Sequence, residues 1–380
     1  MTGLADPTRL RDTTLALVEI PSPTGDTAEV AHAYAALLAE VGMEVEVLTE
    51  PFPKTPIVIG TLKGDRPGPR FVFSGHLDTV PIDHAPPYID GDRIYGRGST
   101  DMKGPCACAA EAVRVISSTG QSFSGEIVIV AIGLHEAPGG RGEDLTWLLH
   151  ERGFTADMAV VCELSAHDVA VAHMGQATVE ITVSRPGDAT HELRTPAGTP
   201  NPIHGAARVV DAVKARNEEL SATTYPWVGP ETYFIGEIHG GDFYNRFPNS
   251  CRIVGTRRWA PGNTIEAVRA EYDALLAKVA EETGLEITLD LKLVRGAYSI
   301  DENAPLLKAL QEAYKDVTGD DLKPVGIKTV ADGAMFSAAG IPTVYHGPFG
   351  EGAHGDVEYI TVGELVRATE VYLSMIGKLL

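Results

Sequence analysis

PRFVFSGHLDTVP, residues 69–81, indicates the class of the fold more clearly than any other segment. Its first half is a short apolar run that breaks at Gly75, which is typical of a buried strand whose end carries function. His76 stands at that carboxyl end and Asp78 follows two residues later, so an extended backbone puts both side chains on the same side. A metal-bound imidazole usually donates its other N–H to a carboxylate, and Asp78 is placed for that role. Alone, this pair is a weak signal, because a histidine that ends a strand is more often structural.

The segments around this stretch alternate between helix and strand. Residues 26–42 have helical spacing, and MEVEVL at 43–48 alternates as a strand. A helix with Pro105 in its first turn follows, and GEIVIVAIGL at 125–134 and DMAVVCEL at 157–164 indicate further buried strands. This order predicts an α/β domain with a mostly parallel sheet.

The pattern changes near Gln176, where ATVEITVSR alternates with period two. Up to LEITLDLKLV at 285–294, the order β-α-β-β-α-β predicts a ferredoxin-like α+β domain. After Ser299 a helix and a buried strand resume the first pattern. We therefore expect residues 175–291 to be inserted into a domain formed by residues 1–174 and 292–380.

Composition and charge limit the partners. A chain of 380 residues with 44% hydrophobic and 22% charged residues is an ordinary globular protein with room for two domains. The formal charge of -21 argues against nucleic-acid and anionic-membrane partners, because repulsion would dominate encounter. No leader opens the chain and no apolar run approaches the ~20 residues that span a bilayer, so a cytoplasmic location is expected. The four cysteines lack the spacing of a zinc site or disulfide framework and are expected to be buried: Cys106, Cys108, Cys162 and Cys251.

Histidines and carboxylates recur where strands end. Besides His76, they are Asp101 in GRGSTDMKGP, Glu136 in HEAPGG, Glu163 in VVCELS and His354 in GEGAHGDVEYI. Each of these residues could instead have a purely structural role, such as a plain helix N-cap for Asp101. Together they converge on the sheet edge where α/β proteins bind ligands. Two ions ~3.5–4 Å apart need about this set, namely a bridging carboxylate plus a histidine and a carboxylate each. Mixed nitrogen and oxygen ligation suits zinc, with manganese or cobalt as alternatives.

These motifs resemble the dinuclear-zinc aminoacylase and carboxypeptidase family, which includes acetylornithine deacetylase, succinyl-diaminopimelate desuccinylase and glutamate carboxypeptidase. The resemblance covers essentially the whole chain and rests on SGHLDTVP, GRGSTDMKG, the pair at 135–136, CEL at 162–164 and AHGDVEYI. It implies a three-layer catalytic domain holding two divalent ions per subunit. His76 and Glu163 would bind one ion, Glu136 and His354 the other, and Asp101 would bridge them.

The resemblance also implies roles for the inserted domain as a lid and dimerisation domain. His191 falls on a histidine that reaches across a homodimer to polarise the substrate carbonyl. Arg258 falls on an arginine that grips a substrate carboxylate, and Asn245 lines the same cleft. Without the resemblance, these three would be ordinary surface residues. The implied activity is hydrolysis of an amide or related C–N bond in a small, carboxylate-bearing substrate by metal-activated water.

Residue 135 departs from the family, which carries a general-base glutamate there. His135 could accept the proton, orient the water, contact an unusual substrate or bind a metal. In a second register Glu136 is the base and Ala137 takes the ligand position, which loses a ligand. Glu143 could also supply the base from the following loop. Because two dications repel an imidazolium, we expect the usual imidazole pKa of ~6.5 to be lowered.

Three hypotheses follow from this departure. The first is an amide hydrolase of N-acyl amino acids, in which His135 shuttles the proton. The second is a hydrolase of a less ordinary C–N bond, as in an aromatic amine or a hydroxamate. The third is a catalytically weak protein that binds metal and ligand, which the complete ligand set disfavours.

Overall fold

The structure is a computed structural model that describes residues 3–136, 138–163 and 167–380. The chain forms two compact units, the first made of Met1–Val171, Ile300–Val325 and Asp332–Leu380, and the second of Ala172–Ser299 and Gly326–Ala331. No helix in the described ranges is both long and apolar enough to cross a membrane.

The helices and strands are numbered in chain order. The helices are α1 (Pro7–Val18), α2 (Ala28–Glu40), α3 (Lys103–Thr119), α4 (Glu143–His150), α5 (Pro202–Ser221), α6 (Ile265–Thr283), α7 (Pro305–Thr318), α8 (Gly333–Ala338) and α9 (Val362–Leu379), with a 3-10 turn at Glu192–Arg194. The strands are β1 (Glu44–Leu48), β2 (Ile57–Lys63), β3 (Arg66–His76), β4 (Tyr88–Asp90), β5 (Arg93–Tyr95), β6 (Ser124–Ile132), β7 (Met158–Val161), β8 (Asp168–His173), β9 (Gly175–Ser184), β10 (Thr190–His191), β11 (Thr232–Gly240), β12 (Arg246–Phe247), β13 (Ser250–Trp259), β14 (Glu286–Arg295), β15 (Tyr298–Ser299), β16 (Lys323–Ile327), β17 (Thr343–Tyr345) and β18 (Tyr359–Thr361).

The first unit is built on a six-stranded sheet in the order β1-β2-β6-β3-β7-β17. Strands β6, β3, β7 and β17 run parallel, whereas β1 and β2 pair antiparallel at one edge. This sheet confirms the predicted α/β class with a mostly parallel sheet. The carboxyl ends of the four parallel strands lie at one edge.

Both faces of this sheet are buried, which explains why its central strands are continuous apolar runs. Phe71 and Phe73 are fully buried in the large core cluster, and Phe73 lies 4.8 Å from the ring of Tyr372 on α9. The intervening Val72 is also fully buried. The four cysteines are free and buried, as expected.

The second unit has a four-stranded antiparallel sheet in the order β11-β13-β9-β14. Side chains of β9 alternate between buried and half-buried, because one face packs in the core with Val209 and Val268 of α5 and α6. With these helices the chain order is β9-α5-β11-β13-α6-β14, the expected ferredoxin-like succession. Strand β11 lies at one edge of the sheet.

Candidate metal centre

His76 ends β3 and directs its Nε2 atom toward two carboxylates. Nε2 lies 3.2 Å from Asp101 Oδ1 and 3.8 Å from Glu163 Oε2, and the side chain is fully buried. At the other nitrogen, Nδ1 lies 2.9 Å from the Asp78 carbonyl oxygen and 3.5 Å from its Oδ1. Asp78 therefore contacts the His76 ring on the side away from Asp101 and Glu163. Its carboxylate also accepts hydrogen bonds from the backbone N–H groups of residues 135 and 136. One carboxylate thus positions two of the segments that meet here.

Asp101 lies between two imidazoles. Its Oδ1 is 3.2 Å from His76 Nε2, and its Oδ2 is 3.2 Å from His354 Nε2. Although burial opposes ionisation, hydrogen bonds from His354 and His76 hold the pKa of Asp101 well below its usual range. The N-cap of α3 is Met102, so the alternative that Asp101 is a plain helix N-cap is wrong. A carboxylate with each oxygen on a different imidazole has the form of a bridging ligand.

Glu136 and His354 form the second half of the cluster. Glu136 follows β6, and its Oε1 lies 2.9 Å from His354 Nε2. His354 has a positive φ of 62° in its glycine-rich loop. Hydrogen bonds to Asp101 and Glu136 raise the pKa of His354 to about 10. The segments after β6 and β17 thus meet at the Asp101 carboxylate.

Glu163 follows β7 and supplies the test of whether this cluster suits a cation. Its Oε1 atom is buried and has no hydrogen-bond partner among the residues that the structure describes. Burial raises the pKa of Glu163 to about 7, against the opposing effect of the His135 and His76 rings. Leaving a buried carboxylate oxygen unpaired is costly, and a divalent cation removes that cost. The donors also fit, because imidazole nitrogens and carboxylate oxygens are zinc ligands.

A buried glutamate that the sequence analysis missed holds the Asp101 loop. Glu358 Oε1 accepts hydrogen bonds from the backbone N–H groups of Gly98, Thr100 and Asp101, at 3.0–3.1 Å. Its Oε2 accepts from Arg97 Nη1 at 2.8 Å. Glu358 lies in the motif AHGDVEYI, two residues after Asp356. Its place in that motif was the sequence feature that could have pointed to it.

His135 contacts a second carboxylate that the sequence did not point to. Its Nδ1 lies 2.7 Å from Asp332 Oδ2, and its ring stacks on His76 with centroids 4.0 Å apart and planes 2° apart. Burial disfavours the charged ring, but the negative charge of Asp332 outweighs it and raises the pKa of His135 to about 9. The lowering expected from two bound cations stays a prediction, and the negative charge of Asp332 opposes it. The available signal was an acidic residue immediately before α8.

Two alternatives to His135 as the general base were considered, namely Glu143 and Glu136 in the second register. Glu143 is exposed at the start of α4, and its carboxylate accepts a hydrogen bond from the backbone of Arg141 in its own loop. This contact gives Glu143 no link to the cluster. The second register depends on Ala137, which lies outside the described residues.

The remaining predicted residues lie in the second unit. His191 and Asn245 come together, with Asn245 Nδ2 3.2 Å from His191 Nε2; His191 is exposed and Asn245 is half-buried. Arg258 on β13 donates a hydrogen bond from Nη1 to the Lys328 carbonyl oxygen at 2.9 Å. Its pKa is lowered by burial. No acidic partner of Arg258 is found in the described part of the chain.

Comparison with known proteins agrees with this geometry. Residues 72–378 match peptidase family M20/M25/M40. The N-formyl-4-amino-5-aminomethyl-2-methylpyrimidine deformylase of Halalkalibacterium halodurans is 26% identical over 398 residues, which cover 96% of this chain and 92% of that protein. The succinyl-diaminopimelate desuccinylase of Methylobacterium radiotolerans is 28% identical over 377 residues, covering 94% and 93%.

Solved structures share the fold across nearly the whole chain. Aminopeptidase PepT from Bacillus cereus has a TM-score of 0.83 at 21% identity, covering 99% of this chain and 100% of that one. YXEP of Bacillus subtilis, described as a dinuclear metal binding peptidase, has a TM-score of 0.73 at 16% identity and covers 97% of each chain. The resemblance noted from the motifs is thereby confirmed. The chain belongs to peptidase family M20/M25/M40 and is a metallohydrolase that acts on C–N bonds.

Proposed function

We propose that this hydrolase removes the acyl group from a small N-acylated compound that carries a carboxylate, using two divalent ions. His76 and Glu163 would hold one ion, Glu136 and His354 the other, and Asp101 would bridge them. Zinc suits these donors, with manganese or cobalt as alternatives. The observation that carries this proposal is the position of Asp101, each oxygen of which lies 3.2 Å from a different imidazole.

The chain's own residues would orient the reactants and carry a proton. When bound, the ions polarise a carbonyl and lower the pKa of a water. His135 is proposed to take the proton of the attacking water and return it to the leaving nitrogen, as a general acid–base group does. Asp78 would keep the ring of His76 and the backbone at 135–136 in place, since it contacts both.

Arg258 supports a substrate with a carboxylate. The neighbouring Arg257 is fully buried and paired with Glu231 at 2.6 Å and Glu271 at 3.0 Å, so its charge is used within the unit. Arg258 makes its described hydrogen bond to a carbonyl instead, and is only half-buried. A guanidinium in that state is suited to a carboxylate ligand. Two relatives are named succinyl-diaminopimelate desuccinylase, and the compound in that name carries carboxylates.

The deformylase relatives support a second candidate, a compound whose acylated amine is borne by a heteroaromatic ring. Two of them align over 96% of this chain, and desuccinylases align over 82% to 94% of it. Such a substrate needs no carboxylate. Dependence on Arg258 separates the two candidates.

We further propose a cytoplasmic homodimer that associates through the inserted domain, residues 175–291, which would also serve as the lid. Strand β11 supports this because it is an edge strand that exposes Phe234 (63%) and Ile238 (52%). In the dimer, His191 would polarise the substrate carbonyl of the partner's site, and Asn245 would line the cleft beside it. Their hydrogen bond gives the two side chains a common position.

Amine release from a panel of substrates tests the proposed function. Zinc-loaded protein would be incubated with N-formyl, N-acetyl and N-succinyl amino acids and with an N-formylaminomethylpyrimidine. We expect hydrolysis of an N-acyl amino acid that stops on chelation and returns with zinc. Asp101→Asn should be inactive on every compound, whereas Asp356→Asn, an exposed change in the loop of His354, should not. Zinc-loaded protein that hydrolyses no member of the panel would contradict the proposal.

A further inference from the structure

We propose that Asp332 is a positioning residue that fixes the tautomer and the ring orientation of His135. Asp332 immediately precedes α8 in the first unit, and the two residues are 197 positions apart. Their side chains are only 13% and 4% exposed, with 2.7 Å between His135 Nδ1 and Asp332 Oδ2. The proposal deepens the proposed function, because it concerns how the proton-carrying ring is held.

A structural role for Asp332 at the helix end does not account for this contact. Asp332 is the N-cap of α8, yet its side chain makes no capping hydrogen bond to that helix. The carboxylate turns instead to the His135 ring. A helix whose N-cap side chain makes no capping hydrogen bond loses some stability. A contact retained at that cost points to a role at the ring.

The contact decides which nitrogen of His135 carries the hydrogen. An ionised carboxylate only accepts hydrogen bonds, so a neutral ring must donate Nδ1–H to Asp332. Nε2 is then the nitrogen with the lone pair. Nε2 is therefore the nitrogen that can accept a hydrogen bond or a proton.

Stacking on His76 fixes the orientation of the His135 ring. It also bears on whether His135 binds a metal or carries a proton. His76 and His135 lie with centroids 4.0 Å apart and planes 2° apart, and each ring presents Nδ1 to a carboxylate. His76, His135 and Glu163 form one of the groups close enough to hold a metal. However, a metal ion lies in the plane of an imidazole that binds it, and two stacked parallel rings share no plane. In this arrangement the two parallel rings would not hold the same ion.

Tautomer measurement tests this inference directly. Long-range nitrogen–proton NMR would be recorded on zinc-loaded protein with ¹⁵N-labelled histidine, at a pH high enough for the His135 ring to be neutral, with His135→Gln used to assign the resonance. We expect Nδ1–H for His135 in the wild type, and loss of that single tautomer in Asp332→Asn, with two zinc ions still bound. An Nε2–H tautomer in the wild type would overturn the inference, even if the variant failed to fold.

A second experiment compares the same substitution in two backgrounds. Asp332→Asn should lower kcat about 100-fold or more with KM nearly unchanged, since a misplaced tautomer cannot carry the proton. In a His135→Glu background it should cost nothing or raise kcat, because Asp332 then faces another carboxylate. An equal loss in both backgrounds would overturn the positioning role. If His135→Ala keeps full activity, the proton-carrying role fails, whereas the NMR result still decides the tautomer.

Discussion

His135 is the residue on which the chemistry depends, because its ring lies against His76 while its Nδ1 faces Asp332. We predict that His135→Ala lowers kcat about 100-fold or more on the best substrate of the panel, the usual size of an acid–base contribution. Zinc content should remain at the wild-type value, because the stacked ring is not expected to share an ion with His76. Steady-state kinetics and metal analysis check both points. Loss of one zinc ion per chain would instead show that His135 is a ligand.

Arg258 is the residue proposed to bind the substrate carboxylate. Arg258→Ala should raise KM about 10-fold or more for a substrate with a carboxylate, while kcat changes little, because binding that is equal in ground and transition states affects KM. Arg208→Ala is the matched control, since Arg208 is an exposed arginine of the second unit that pairs with Glu282. An unchanged KM for Arg258→Ala would remove the carboxylate from the proposed substrate and favour the formylated pyrimidine.

The convergence of five distant side chains could be predicted because each lies in a short motif at a strand end. Asp332 and Glu358 could not, since their roles depend on hydrogen bonds to residues 197 and 257 positions away, to His135 and Asp101 respectively. Such pairings are set by tertiary structure. A local motif can mark each position as acidic, but it cannot identify the distant partner.

At the scale of elements, Glu358 joins the segment before β18 to the loop after β5. It accepts three backbone N–H groups of residues 98–101, and Gly96 N–H donates to its carbonyl oxygen at 3.0 Å. Glu358→Gln removes the charge and part of this acceptor capacity, so Asp101 should be held less well. We predict a 10–100-fold loss of zinc affinity, as is typical when support of a ligand is removed. Titration with a competing zinc chelator measures it, with Asp356→Asn as the control. Wild-type affinity in Glu358→Gln would contradict this role.

The elements themselves differ in how well the sequence predicted them. The central strands were predictable because burial on both faces makes them continuous apolar runs, as in β3 and β6. Helix α1 was not predicted, because its segment is mixed in composition. Only four of its 12 residues are buried, so its apolar pattern is weak. It is specified by Pro7 in its first turn and by Asp6, which accepts from the N–H groups of Thr8 and Arg9. Packing against α3 and α9 then stabilises it.

For the whole molecule, the edge strand β11 predicts how two copies associate. Phe234→Lys should shift the protein from dimer to monomer, because a charge would enter an apolar contact between edge strands. Leu293→Lys is the matched control, since Leu293 is also exposed (42%) but lies on β14 at the opposite edge of the sheet. Light scattering after gel filtration gives the mass. A wild-type monomer, or equal dissociation of both variants, would contradict dimerisation through β11.

The zinc content of the whole chain shows whether Asp101 bridges a dinuclear centre. The protein would be loaded with zinc, dialysed against metal-free buffer and analysed by elemental mass spectrometry, beside Asp101→Asn and Asp356→Asn. We predict two zinc ions per chain for the wild type and for Asp356→Asn, and fewer than one for Asp101→Asn, because both halves of the cluster meet at that carboxylate. Two ions retained in Asp101→Asn, or none in the wild type, would contradict a dinuclear centre bridged by Asp101.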